Sequence, residues 1–290
     1  MQVAREWPEA MGLRVAFAPD GSAWACSSMA ELRLFEGDEL VASAGVAGEV
    51  LGELCFSADG TRVLAAPLAL DRASRAWEPR PPETLDMAFT LVAGAWAADG
   101  RALALYGEHR PSRRGDDDYD GPAARLALRD GDAVQVVWEG ARSEPRSALL
   151  VGQDIVASGG RAIDVRDRAT TRPLAVLDAF NAIARTLRLS DGRLAAGSAD
   201  GAVAVWDVAT WEELARWQAH PGEAAGLAWR GETLATGGDD GAVRLWSPSG
   251  ELRDEAEAGP PVTGLAFSPD GSRLLVARAG PEGGVLELRP

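Results

Sequence analysis

Short apolar runs alternate with tight polar turns along the chain, and the alternation recurs about every 40 residues. Each unit opens on a β-rich run that ends in an apolar residue and is followed by an acidic turn with glycine. The turns read FAPDG (17–21), FSADG (56–60), WAADG (96–100), LSDG (189–192), WRGE (229–232) and FSPDG (267–271). Because glycine accepts a positive φ, Asp-Gly between β-rich runs predicts a tight hairpin at each of these places.

One long interval interrupts the series. Asp99 and Asp191 lie 92 residues apart, which fits two units with an insertion in one of them. The weaker unit between them reads SALLVGQDIVASGG (147–160), with its turn at Gly152-Gln153-Asp154. The sequence therefore predicts seven units.

Each unit predicts four short strands. In the fifth unit they read ARTLRL, RLAAGS, AVAVWD and ELARWQ, with polar turns between them. Four antiparallel strands repeated at this period are typical of a propeller blade. The predicted fold is an all-β, seven-bladed β-propeller that fills the chain as one domain. The predicted blades are 11–46, 47–88, 89–142, 143–179, 180–219, 220–258 and 259–290 with 1–10.

The last unit ends after three strands, at Pro290. A spare β-rich segment, Gln2 to Trp7, precedes the first complete unit. Pairing this segment with the last blade would supply the fourth strand and remove two open sheet edges. We therefore expect the N-terminal strand to close the ring.

Two segments, LAAGSADGAVAVWD (194–207) and LATGGDDGAVRLWS (234–247), resemble the WD-repeat family. The resemblance implies a structural tetrad of a histidine before the blade, a serine or threonine, an aspartate and a tryptophan. For blade six these residues would be His220, Thr236, Asp240 and Trp246. For blade five they would be Ser198, Asp200 and Trp206, with no histidine at the expected place.

The resemblance also implies a non-catalytic scaffold or adaptor that binds proteins on the face formed by the interblade loops. Three segments depart from tight turns and are expected on that face: 67–75, 107–123 and 278–284. The candidate contact residues are Glu49, Asp116, Asp118, Tyr119, Asp120, Arg146, Asn181 and Glu223.

The acidic segment DDDYDG (116–121) allows a second interpretation. Asp116, Asp118 and Asp120 alternate before Gly121, as in the first half of a calcium-binding loop. The acidic residue expected at the twelfth position is replaced by Ala127. Two interpretations of this segment therefore remain, a solvated acidic loop and a calcium site. A calcium- or small-ligand-binding sensor is the alternative function.

Charge and composition narrow the class of partner. The net charge is −15, and all 29 basic residues are arginine. Such a charge disfavours nucleic acid and anionic membranes, and favours a protein partner with a basic surface or serves solubility. No apolar run approaches a membrane span, and the N-terminus lacks a secretory pattern, so we expect a cytoplasmic protein. Cys26 and Cys55 are expected to be apolar core residues and not a disulfide framework.

Catalytic patterns are missing from the sequence. Its two histidines are His109, in the inserted loop 107–123, and His220, which belongs to the implied tetrad. No zinc-ligand spacing, phosphate-binding glycine loop or Gly-x-Ser-x-Gly motif occurs. We therefore expect no enzyme and no cofactor, and a propeller hydrolase or lyase is the less favoured alternative.

Overall fold

A computed structural model describes most of the chain. The described residues are 1–7, 13–28, 31–45, 54–65, 68–79, 89–97, 102–109, 124–130, 133–140, 148–178, 180–190, 192–256, 259–280 and 284–289. They form 28 strands, and these make seven antiparallel sheets of four strands each. The prediction of a seven-bladed β-propeller is confirmed.

The strands follow the chain from one blade to the next, with the first strand of each blade innermost. Blade one contains β2 (Arg14–Phe17), β3 (Ala23–Ser27), β4 (Glu31–Glu36) and β5 (Glu39–Gly45). Blade two contains β6 (Leu54–Phe56), β7 (Arg62–Ala65), β8 (Leu68–Asp71) and β9 (Ala76–Pro79). Blade three contains β10 (Phe89–Trp96), β11 (Ala102–His109), β12 (Ala124–Asp130) and β13 (Ala133–Gly140). Blade four contains β14 (Ala148–Val151), β15 (Ile155–Gly159), β16 (Ala162–Asp167) and β17 (Pro173–Asp178).

The remaining three blades have the same order. Blade five contains β18 (Ala184–Ser190), β19 (Arg193–Ser198), β20 (Ala202–Asp207) and β21 (Glu213–Gln218). Blade six contains β22 (Ala224–Arg230), β23 (Thr233–Gly238), β24 (Val243–Trp246) and β25 (Leu252–Ala256). Blade seven contains β26 (Val262–Phe267), β27 (Leu274–Arg278), β28 (Val285–Arg289) and β1 (Gln2–Trp7).

Strand β1 closes the ring, as predicted. It pairs antiparallel with β28, from Gln2 opposite Arg289 to Trp7 opposite Val285. The other residues of β1 are exposed, but Trp7 is buried and its ring lies 4.8 Å from that of Trp24 in blade one. Trp7 therefore ties the closing strand to the blade on its other side.

The core lies between neighbouring blades. The second strands are buried on both faces, which explains why they are nearly continuous apolar runs such as IVASG in β15. The outer strands are mostly exposed, with half-buried positions at every second residue in part of the strand, as in β21. One cluster joins Ile163 and Val165 of blade four to Leu187 and Trp206 of blade five.

The Asp-Gly turns connect first to second strands through a repeated hydrogen-bond pattern. In blade two, Asp59 accepts hydrogen bonds from the Ser57 hydroxyl at 2.6 Å and from the Thr61 backbone N–H at 3.0 Å. These bonds lower the pKa of Asp59 to about 2, and Gly60 follows with a φ of 69°. The aspartate thus accepts the hydrogen bonds from donors in the turn, while glycine adopts the left-handed conformation that the turn requires.

The segment 67–75 differs from its prediction as a long loop. It contains strand β8, which pairs with β7 and places a fully buried Leu70 opposite Val63. The large side chains at every second position of LALD (68–71) favour a strand there. The polar residues that follow form only the short turn to β9. In the described part of the chain, no helix has the length and apolar character needed to cross a membrane.

Candidate functional site

The interblade loops and the turns between second and third strands lie on one face of the ring. The backbone N–H of Ala184 donates to Gly160 O, that of His220 to Gly201 O, and that of Asp239 to Glu223 O. Each bond joins an interblade loop to a neighbouring turn. We call the surface formed by residues 160–161, 180–183, 199–201, 219–223 and 239–241 the loop face.

A buried polar network anchors the loop face between blades five and six. His220 Nδ1 lies 2.8 Å from Asp240 Oδ1, and His220 Nε2 lies 2.8 Å from Thr236 Oγ1. Trp246 Nε1 donates to the same threonine oxygen at 2.9 Å. The structure thus brings together the four residues that the family resemblance implies for blade six.

The network has a consistent direction of donation. The Trp246 indole N–H donates to Thr236, the Thr236 hydroxyl donates to His220 Nε2, and His220 Nδ1–H donates to Asp240. This tautomer gives every donor an acceptor, so we assign it from the network. Burial lowers the pKa of His220, which keeps the imidazole neutral, although hydrogen bonding to Asp240 opposes that shift.

Arg244 extends the network to the backbone and to the outer strand. Its Nη1 donates to Asp240 Oδ2 at 2.7 Å and to Ala219 O at 2.9 Å, and its Nη2 lies 2.8 Å from Glu255. Burial acts to raise the pKa of Asp240, but hydrogen bonds from Arg244 and His220 hold it below its usual value. The sequence interpretation did not include Arg244, although it stands within the WD-like segment two residues before Trp246.

Two turn glycines let the loops pack against each other. A β-carbon on Gly201 would lie 2.0 Å from His220 O, and one on Gly241 would lie 2.0 Å from Gly259 O. Both residues also have positive φ. The glycines of these two turns, which join second to third strands, are therefore required for contact between blades as well as for hairpin geometry.

Blade five differs from its predicted tetrad. Strand pairing places Ala196 opposite Ala204 and Thr236 opposite Arg244, so Ala196 is the counterpart of Thr236. Ser198 instead occupies the position of Gly238, and its hydroxyl donates to Asp200 and to Ala202 O. The sequence alone did not reveal this two-residue offset, because Ser198 in LAAGS and Thr236 in LATGG are both small hydroxyl residues close to the turn.

An apolar contact occupies the histidine position of blade five. Phe180 stands there and its ring lies 6.4 Å from that of Trp206 in an edge-on arrangement. Both side chains are buried. Blade five is thus held by aromatic packing where blade six uses hydrogen bonds.

Two predicted contact residues lie on the described loop face. Asn181 is exposed between blades four and five. Glu223 is partly exposed and its Oε2 lies 3.2 Å from Nε of Arg185 in blade five. Its backbone N–H also donates to the Asp239 carboxylate at 3.2 Å.

Arg185 was not predicted, because its position depends on a β-bulge. The pairing of β18 with β19 shifts register between Ala184 and Thr186, which makes Arg185 the extra residue. The pairings in blades six and seven shift at the corresponding place, at Ala225 and Thr263. Such bulges redirect a side chain, and alternation along the sequence does not show them.

The other predicted contact residues lie outside the described residues. These are Glu49, Asp116, Asp118, Tyr119, Asp120 and Arg146. The calcium interpretation of the acidic segment therefore stays a prediction. Among the described residues, no group of His, Cys, Asp and Glu side chains is arranged to hold a metal ion.

Comparison with known proteins agrees with the geometry. Residues 211–247, which run from the turn before β21 to the first residue after β24, match the family described as WD domain, G-beta repeat. Among solved structures, the computationally designed Ika8 protein is similar with a TM-score of 0.64 and 17% identity, over 93% of this chain and 81% of that one. The computationally designed Ika4 protein gives a TM-score of 0.47 and 25% identity, over 51% of this chain and 93% of that one.

The likeness to Ika8 concerns the fold alone. No curated protein sequence matches the chain. WD-type propellers are generally protein-interaction scaffolds and typically not enzymes. The chain is a seven-bladed β-propeller that contains a repeat of the WD domain, G-beta type at residues 211–247.

Proposed function

We propose that this protein is a non-catalytic adaptor and that its protein partner binds the loop face within a cytoplasmic complex. The observation that carries the proposal is a polar surface on blades five and six whose loop is held in place by hydrogen bonds. There, Arg185, Glu223 and Asp239 present polar groups beside the loop 219–223, which the buried His220 network fixes, and Asn181 is exposed on the neighbouring loop between blades four and five.

Fixing this loop before binding favours affinity. Side chains and loops that become ordered on association cost free energy, so a loop held by buried hydrogen bonds loses less on binding. His220 Nδ1 and Nε2 both have partners, and three backbone bonds join the loop to its neighbouring turns. The loop face therefore resembles a preorganised docking surface.

Charge supports a partner with basic groups. The chain carries a net charge of −15, and a field of this sign accelerates encounter with a basic surface. On the loop face, Asp239 and Glu223 provide local carboxylates beside Arg185. The pair of opposite charges at Arg185 and Glu223 would fix the register of a complementary partner.

The burial and hydrogen bonding of His220 support a structural role and not a catalytic one. Its side chain is buried among Asp240, Thr236 and Arg244, and both ring nitrogens are engaged. A general base requires access to a substrate proton. His220 instead serves to position the loop.

Site-specific photo-cross-linking tests the proposal. A photoreactive amino acid at position 181 on the loop face is compared with one at position 249, in the exposed turn between β24 and β25 on the opposite face. In native cells, position 181 should give a discrete cross-linked protein that position 249 does not give. Cross-links from position 249 alone, or from neither site while the protein co-purifies with a partner, would contradict docking on the loop face.

A further inference from the structure

Arg278 lies at the end of β27 in blade seven and is partly buried. Its Nε is buried and has no hydrogen-bond partner in the described part of the chain. The backbone N–H of Ala279 donates to Pro261 O in the interblade loop at 2.9 Å, which places Arg278 on the same side of the ring as the loop face. Buried donors almost always have an acceptor in folded proteins, so this one requires a specific explanation.

Strand pairing identifies the counterpart of Arg278 in blade six. The first residue pair between first and second strands places Arg278 at the position of Gly238. In blade six, the missing side chain of Gly238 leaves room for the His220 ring. In blade seven, a β-carbon on Gly259 would lie 3.4 Å from Arg278 Nη1. The guanidinium therefore lies against the interblade loop, where blade six has its buried histidine.

The acceptors of the blade-six network have no equivalent around this arginine. In order, Thr236, Asp240 and Trp246 of blade six correspond to Val276, Gly280 and Leu288 of blade seven. The side chains at these three blade-seven positions are aliphatic or absent, so none of them accepts a hydrogen bond. Blade seven thus places a charged donor where the side-chain acceptors of the network are lost.

The charge of Arg278 is only partly compensated. Burial lowers the pKa of Arg278, and the carboxylate of Glu6 on β1 opposes this shift. Glu6 is exposed, and no ion pair joins it to Arg278. Removing a charge from water without a partner costs free energy, so an anion that reaches Arg278 gains more than at an exposed arginine.

Two glycines leave this arginine accessible from the loop side of the ring. Gly280 is exposed, and a β-carbon on it would meet no atom of the described residues within 4 Å. Gly259 is exposed as well, and a β-carbon on Gly241 would lie 2.0 Å from its carbonyl oxygen. Because Gly241 belongs to the loop face, a partner docked there meets Arg278 directly beyond the turn 239–241.

The chemistry of the site favours a carboxylate. A guanidinium presents a planar fork of N–H donors that matches the two oxygens of a carboxylate. The chain carries a net charge of −15, so a singly charged group meets less repulsion than a doubly charged phosphate.

We propose that Arg278 anchors the protein partner of the loop face by binding one of its carboxylates. This inference rests on the proposed adaptor function and adds the chemistry of one contact. It agrees with a partner whose surface is otherwise basic, because a single carboxylate on such a surface would meet the one arginine that lacks a partner at this junction of blades.

Urea unfolding separates a binding role from a structural one. Arg278→Leu should unfold at the same urea concentration as the wild type or at a higher one, because an unpaired, partly buried charge is replaced by an apolar side chain. The control is Arg244→Leu, which removes a guanidinium that donates to Asp240 and to Ala219 O. It should unfold at a lower urea concentration. A loss of stability in Arg278→Leu as large as that in Arg244→Leu would make the arginine structural and overturn the proposal.

The Nε–H resonance of Arg278 in the ¹⁵N-labelled full chain reports carboxylate binding directly. Sodium acetate near neutral pH should shift this resonance along a saturable curve, and sodium chloride at the same ionic strength should not. The internal control is the Nε–H of Arg166, which already donates to Asp164 at 3.0 Å and should stay unshifted. Equal responses to acetate and chloride, or tighter binding of phosphate than of acetate, would overturn the assignment of a carboxylate site.

The partner captured by photo-cross-linking at position 181 tests the anchor in the complex. In isothermal titration, Arg278→Leu should weaken its affinity at least about tenfold, and Arg278→Lys should retain part of the affinity. Arg193→Leu is the control, because Arg193 pairs with Glu232 on the opposite face.

Failure of this inference and failure of the adaptor function give different results. Unchanged affinity in Arg278→Leu, with a captured partner, would overturn the anchor and leave the adaptor function intact. Absence of any partner would overturn the adaptor function and the anchor together, whereas a saturable acetate shift at Arg278 would still show a carboxylate site.

Discussion

The imidazole ring of His220 occupies the space that a β-carbon on Gly238 would need. Such a carbon would lie 2.5 Å from His220 Cγ and 2.7 Å from Nδ1. In blade five the same two positions hold Phe180 and Ser198. The histidine and the glycine are therefore coupled in blade six, and Phe180 with Ser198 is the corresponding pair in blade five.

Replacing Gly238 with alanine should displace the ring and destabilise the protein. Overpacking costs about 1–3 kcal/mol, and loss of the bonds to Thr236 and Asp240 would add to it. Urea unfolding followed by tryptophan fluorescence measures the change. Gly45→Ala is the control, because a β-carbon there meets no atom within 4 Å and should change stability by less than about 0.5 kcal/mol.

The blade-five pair provides a rescue experiment. His220→Phe with Gly238→Ser recreates Phe180 and Ser198, so the double variant should be more stable than Gly238→Ser alone. Residues in contact depart from additivity by about 0.5–3 kcal/mol, and the coupling should fall in this range. Additive effects of the two single substitutions would show that the positions are independent.

The hydroxyl of Thr236 joins two buried rings, since it accepts from Trp246 and donates to His220. Thr236→Val keeps the shape of the side chain and leaves both partners unpaired, which should cost at least about 2 kcal/mol. Thr236→Ser retains the hydroxyl and should recover most of this loss. If valine and serine have equal effects in urea unfolding, the hydrogen bonds are not what stabilises the blade.

Stability should depend on pH through His220. Burial lowers its pKa in the folded state below the unfolded value of about 6.5. The unfolded chain therefore takes up this proton first, and the stability contributed by the neutral ring is lost as pH falls through the folded pKa. Urea unfolding between about pH 7.5 and pH 5 should show this loss in the wild type and not in His220→Phe/Gly238→Ser.

The thiol of Cys26 should be unreactive in the folded protein. Its side chain is 1% exposed, and burial raises its pKa to about 12. The thiolate is the reactive form, so a disulfide reagent near neutral pH should modify Cys26 only after unfolding. In Cys55→Ser, modification of Cys26 at the same rate with and without urea would contradict the buried position.

Repeated local patterns made the architecture predictable. Asp59 and Asp270 are recognisable in the sequence because the same short turn recurs at a fixed period. The closing role of strand β1, Gln2–Trp7, followed from the missing strand of the last unit. In both cases, short-range turn chemistry and the count of strands determine the outcome.

The site was less predictable because it depends on register. Ser198 and Thr236 differ by two positions along the strand, and only the pairing with the third strand reveals this offset. Arg185 reaches Glu223 through a bulge that leaves no mark in the residue pattern.

The central claim, docking on the loop face, is tested most directly by the affinity of the cross-linked partner for two matched variants. Asn181→Arg alters the loop face, and Ser249→Arg makes the same change on the opposite face. Isothermal titration should show at least about a tenfold loss of affinity for Asn181→Arg and wild-type affinity for Ser249→Arg. Wild-type affinity for Asn181→Arg together with a loss for Ser249→Arg would contradict the account.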